Sequence, residues 1–319
     1  MSPPTLIVHA DWSVRPDRRW MCVAESTDGE HYTVSAPEPV GSTTSLLARL
    51  TTRARAKDDE PCVLIGVDVP IGLPSAYATR AGIDSFLRAL PRFGHGPWAD
   101  FYHVAEQPDE ISACRPFYPR SPGAARQKHL LDALHVHDMN ALLRRVERAT
   151  EHRAAAASLF WTMGARQVGK AAIAVWRDVL APALSTAARD LAVWPFDGRL
   201  HDLLRRHQMT IAEVYPAEAC VQLGLGSPGR RWSKRSRDDR VAHAGALHQW
   251  VQSRGVRTTP ALVAAIRDGF GDRPDGEDRF DSVVALFSMI DVVEGRRSEG
   301  APDCPDIASV EGWILGQTP

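Results

Sequence analysis

The chain has 319 residues, 44% hydrophobic and 24% charged, an ordinary folded composition with apolar material for a sizeable core. Lysine and arginine number 38 against 39 aspartates and glutamates, a formal net charge of -1, so any nucleic-acid contact must rest on a local patch rather than a global positive field. Five scattered cysteines with no C-x-x-C pair argue against a disulfide framework or zinc finger. The absence of a leader-like start or a bilayer-length apolar run makes a cytoplasmic protein without membrane contact the expectation.

Residues 5–12 are a short apolar run ending on Asp11-Trp12 and read as a strand. Residues 20–25 and 30–35 read as two more, joined across Asp28-Gly29, a strong hairpin signal, with Pro37 and Pro39 closing the meander. Residues 42–57 have helical spacing at Leu46, Leu47 and Leu50, with Ser42 or Thr43 as N-cap. The run Val63-Leu64-Ile65-Gly66-Val67-Asp68 is continuously apolar up to its acid, the pattern of a strand buried on both faces. Pro70 cannot donate to a sheet ladder, so Asp68 stands near the strand end, where open α/β sheets bind ligands. The competing reading is a carboxylate that caps the turn after it.

Residues 75–208 read as a helical insertion, with helices at 79–90, within 124–157 and over 168–192, interrupted near Pro182. Residues 210–216 return to strand. Period-2 alternation puts Ile211, Glu213 and Tyr215 on one face and Ala212 and Val214 on the other. Pro216 ends that strand and can start a helix, residues 224–240 form a basic loop, and helices follow at 243–253, 260–268 and 278–294. The whole chain, 1–319, reads as one α/β domain, with the insertion between the fourth and fifth core strands.

Five acids carry the chemistry: Asp11, Asp68 and Glu213 at or near strand ends, and Asp278 and Asp281, three apart on one helix face. Such a set suits magnesium or manganese, which take oxygen ligands and leave room for water and phosphate. Two ions would activate a water and stabilise a leaving oxygen. The bland alternative for each acid is a cap or a surface salt bridge.

The segments Val67-Asp68-Val69-Pro70-Ile71-Gly72-Leu73-Pro74, Glu213-Val214-Tyr215-Pro216-Ala217 and Asp278-Arg279-Phe280-Asp281-Ser282 resemble the domain of unknown function 429 family, as does Trp194-Pro195-Phe196-Asp197. Val69 and Ser282 depart from the usual pattern without removing an acid. The resemblance implies a ribonuclease-H-like mixed sheet, a three-strand antiparallel meander plus parallel strands with flanking helices, and a predicted nuclease activity. It implies Asp11, Asp68, Glu213 and Asp281 as catalytic residues. The same four with Asp278 would hold the metal, Asp11 bridging two ions.

Residues 164–171 nearly spell a P-loop, but Ala171 lacks the hydroxyl that would meet magnesium; Arg166 and Lys170 could instead touch a phosphate. His135-Val136-His137-Asp138 reads as a solvated helix face. Arg230, Arg231, Lys234 and Arg235 around Trp232 could grip a phosphodiester and stack a base, making nucleic acid one candidate partner and a small phosphorylated substrate another. The leading expectation is a metal-dependent phosphodiester hydrolase. Its rivals are an actin-like or sugar-kinase-like phosphotransferase and a non-catalytic binding protein.

Overall fold

The computed structural model describes residues 3–26, 29, 31–151, 154–163, 168–186, 190–225 and 232–319. Its centre is β1 (Leu6–Asp11), whose six residues are all buried. On one side β2 (Trp20–Ser26) and β3 (Tyr32–Val34) continue antiparallel, with the short β4 (Glu38–Pro39) also on β2. On the other side β5 (Val63–Val67), β7 (Met209–Glu213) and β6 (Leu191–Val193) add in parallel. β8 (Arg257–Thr258) closes the far edge beside β3, giving the order β6-β7-β5-β1-β2-β3-β8.

Side-chain alternation divides the core between the two faces of this mixed sheet. Leu6, Val8, Ala10, Val63, Ile65, Val67 and Ile211 pack under the insertion, against aromatics such as Phe86, Phe117 and Trp176. Ile7, Leu64, Ala212 and Val214 face the long helix Gly276–Val293. That helix is buried continuously from Phe280 to Val292, so it is enclosed around its circumference, and it is mostly apolar there apart from Asp281, Ser282, Ser288 and Asp291. Gly66 lets it approach: a Cβ there would lie 2.5 Å from Met289 Sδ and 2.8 Å from Val214 Cγ2.

The insertion differs from its sequence reading. It contributes a strand, β6, because Leu191-Ala192-Val193 finds an open parallel edge on β7. In place of one helix over 79–90 there are two short ones, Ser75–Arg80 and Phe86–Ala89, and among the described residues of 124–157 only Gln127–Leu134 is α-helical. His135 ends that helix at φ 52°, so the His135–Asp138 segment is a turn rather than a helix face. The helix beginning at Val168 widens to a π turn over Trp176–Leu180 and continues to Thr186. The early helix spans Leu46–Arg55, with Ser45 before it instead of Ser42 or Thr43. The Asp28 hairpin position lies outside the described residues. Among the described residues no helix is long and apolar enough to cross a membrane.

Candidate active site

Asp11 ends β1, and Asp68 follows the last residue of β5. These neighbours run parallel with Ala10 opposite Val67, so the next position on each carries its acid to the same sheet end. Both continue the Ile7 and Leu64 phase, which faces the long helix. From the first turns of that helix comes Asp281. The Trp12 N–H donates to Asp68 Oδ1 at 2.5 Å, fixing one oxygen of that carboxylate.

Burial raises the Asp11 carboxyl well above the ordinary carboxylate range, and Asp68, Asp281 and Asp278 add like-charge repulsion. Burial also pushes Asp68 up to about 7, against the Trp12 N–H and a hydrogen bond from Asp11. Two neighbouring buried carboxyls resist ionising together, so this pair holds a proton more readily than either acid would alone. Asp281 is pushed up to about 6 by burial, with Lys234 opposing. Lys234 bonds Asp281 Oδ2 and stays charged: burial favours its neutral form, but Asp281 more than offsets that. Among the described residues nothing hydrogen-bonds the buried Asp281 Oδ1.

Asp68, Asp281 and Lys234 line a cleft of about 330 Å³, with Asp11 buried beside it within electrostatic reach of both acids. Its walls come from the β1–β2 loop (Trp12, Ser13), the helix Val168–Val175 (Val168, Ala171) and the start of the helix Pro216–Gln222 (Tyr215, Ala217). Arg19 holds that first loop, stacking on Trp12 at 4.9 Å and donating to the Ser13 carbonyl at 2.6 Å. A larger cavity, about 720 Å³, lies at the opposite sheet end beside Pro4 and Arg254. Its arginines already have partners: Arg254 with Asp291 and Arg296 with Glu294, at 2.7 and 2.8 Å. The smaller cleft holds the unbalanced charge.

Glu213 does not join this cluster. It pairs in register with Val67 and so projects onto the insertion face, opposite to Asp68. There Arg144 meets both its oxygens at 2.7 Å, and the Ile71 N–H donates at 2.8 Å. Glu147 completes the arrangement, receiving Arg144 Nε and the Arg144 N–H, both at 2.9 Å. Burial raises Glu147, with Arg144 opposing. Glu311 accepts the Ser75 hydroxyl at 2.6 Å and the Arg145 N–H at 2.8 Å. This network ties down the loop after β5. Gly72, at φ +139°, lies so near that a Cβ would sit 2.1 Å from the Glu311 carbonyl oxygen.

Asp278 is held by a forked pair with Arg18, whose second contact is 3.1 Å, leaving it at the rim within electrostatic reach of Asp11. Trp232 packs on His243 (4.4 Å) and Phe280 (6.1 Å), so its ring is part of the core rather than a free platform for a base. Lys234 lies in the cleft, turned to Asp281. Arg235 is exposed and meets Glu277 at 3.5 Å. Lys170 is half-buried on the helix Val168–Val175 but is not among the cleft residues. Arg166, Arg230 and Arg231 lie outside the described residues. Sequence reasoning missed Arg144 and Arg18, because neither carries a motif and the acids that give each its place, Glu213 and Asp278, lie more than sixty residues away.

The donors Asp11, Asp68 and Asp281 are all carboxylate oxygens, the class that magnesium and manganese take, and Asp281 Oδ1 has an unmet acceptor. With Asp281 drawn to Lys234, among the described residues no group of three His, Cys, Asp or Glu side chains closes around one point. Comparison of the chain with family models, with curated proteins and with solved structures gives no match.

Proposed function

We propose that this chain is a divalent-metal-dependent phosphate-ester hydrolase on a ribonuclease-H-like sheet, with Asp11, Asp68 and Asp281 as its working carboxylates. The order β3-β2-β1-β5-β7, an antiparallel meander joined to parallel strands, supports the fold half of this reading. The observation that carries the chemical half is a group of three buried carboxylates, Asp68 and Asp281 lining the cleft and Asp11 beside them, with the Lys234 ammonium on Asp281. Such an arrangement costs stability and is common where charge is used. Bound there, a magnesium or manganese ion supplies Lewis-acid charge and an acidified water.

The chain's own groups divide the remaining work. The Trp12 N–H orients Asp68, and Asp11, buried beside it, would hold the ion together with Asp68. Arg19 keeps the Ser13 wall in place. A cleft of about 330 Å³ is at the small end of ligand sites. Together with the occupied ring of Trp232, this favours a small phosphate ester or a strand end over a duplex. The β1–β2 loop, Asp11-Trp12-Ser13-Val14, lacks the glycines that a phosphotransferase of the actin or sugar-kinase type needs to cradle phosphates.

The test is manganese-dependent hydrolysis of a chromogenic phosphodiester. Asp11→Asn should cut turnover at least about 100-fold while the variant still unfolds cooperatively. Unchanged turnover in that variant would sink the assignment.

A further inference from the structure

We infer that Lys234 takes the place of a second cation in the carboxylate cleft, so that the site loads one divalent ion per chain rather than two. The inference rests on the hydrolase reading above and replaces the two-ion arrangement that the sequence suggested.

The first support is how Lys234 is mounted. Its backbone carbonyl accepts from Arg240 Nη1, and Arg240 is itself buried and donates to the carbonyls of Gly269 (2.7 Å) and Gly271 (2.8 Å). Just before it, the Ser233 N–H donates to Asp239 at 2.9 Å, and Trp232 packs on Phe280 of the long helix. The basic segment is therefore pinned on both sides of Lys234. Its side chain is 25% exposed and that of Asp281 10%, which makes this a largely buried pair rather than a surface one.

The second support is charge balance. Neighbouring acids on the long helix already have cations: Asp278 has Arg18, Asp275 has Arg279 at 2.8 Å, and Glu277 has Arg235 at 3.5 Å. Among the described residues that leaves Asp11, Asp68 and Asp281 facing Lys234, which lies within electrostatic reach of all three. Fully ionised, three carboxylates and one ammonium carry two net negative charges, which one divalent ion cancels. A second ion would leave a buried cleft two units positive, and uncompensated buried charge is strongly disfavoured. Asp281 has only Oδ1 left to offer, since Oδ2 is on Lys234.

The experiment counts manganese bound per full-length chain by titrating metal-free protein and measuring free ion by electron paramagnetic resonance. Wild type and Lys234→Arg, which keeps the charge, should each take up one ion. Lys234→Glu, which turns the cation into a fourth carboxylate and leaves four negative charges for two divalent ions to cancel, should rise to two. Two ions on the wild type, or one on Lys234→Glu, would overturn the inference and leave the hydrolase reading standing. No ion on the wild type would overturn that reading and the inference with it. Should Lys234→Glu fail to fold, the wild-type and Lys234→Arg counts still decide, because two ions on either refutes the substitution of lysine for metal.

Discussion

Two groups of buried carboxylates stand at the same end of one sheet, on opposite faces, and they are neutralised differently. On the insertion face Glu213, Glu147 and Glu311 each receive a hydrogen bond on both oxygens, from Arg144, Ile71, Ser75 and Arg145. On the long-helix face Asp11 and Asp68 hydrogen-bond each other, and Asp281 has one oxygen on Lys234 and one on nothing. Both groups bear a desolvation cost, but among the described residues only the first has a partner on every carboxylate oxygen. A buried acid whose oxygens are all met is holding the fold; one pressed against its own kind is a candidate for chemistry.

The largest effect should come from breaking the satisfied group. Arg144→Met leaves Glu213 and Glu147 buried without their cation and should cost about 3–5 kcal/mol in urea denaturation. A loss under about 1 kcal/mol would erase the contrast between the two faces. Next is the loop that this group clamps. Gly72→Ala sets a Cβ against the Glu311 carbonyl at a positive φ and should cost about 2 kcal/mol or more, read as a fall in melting temperature.

On the other face the sign should reverse. The Asp68 carboxyl has a folded pKa of about 7, above its unfolded value of about 3.9. Its contribution to stability is therefore fully present below about pH 4 and is lost as pH rises through 7. Asp68→Asn, which stays neutral, should match wild type near pH 4 in metal-free buffer. Near pH 8 it should be more stable, on the order of 1–2 kcal/mol. A variant less stable than wild type at pH 8 would place Asp68 among the structural acids. The smallest effect is expected outside both groups. Arg235→Ala removes an exposed ion pair with Glu277 and should change stability by no more than about 0.5 kcal/mol.

Much of the site was legible along the chain, and the limits of that legibility have a physical cause. Asp11 and Asp68 announced themselves because each closes an apolar run, and Asp281 because it sits on a helix with Asp278. Lys234 was recognised as a basic group, but with the wrong partner: it faces an acid of its own chain. Trp232 looked like a free aromatic because a sequence does not show that Phe280 and His243 cover it. The insertion was misread where short segments take their conformation from distant partners, as Leu191–Val193 does on β7.

Glu213 is the instructive case. Alternation correctly set Ile211 and Glu213 on one face of their strand and Val214 on the other, a local property that follows from the pleat. Which face that was depended on the register between β5 and β7, where Val67 meets Glu213 and Asp68 falls one position later. A shift of one residue in that pairing would have turned Glu213 towards the cleft. The sequence by itself thus determined β1, β2, β3, β5 and β7, the phases of their side chains and the acids at their ends, because these follow from neighbours along the chain. Only the tertiary structure decided which acids share a cleft and which cation answers them, because register and charge pairing are settled between segments that the chain brings together from far apart.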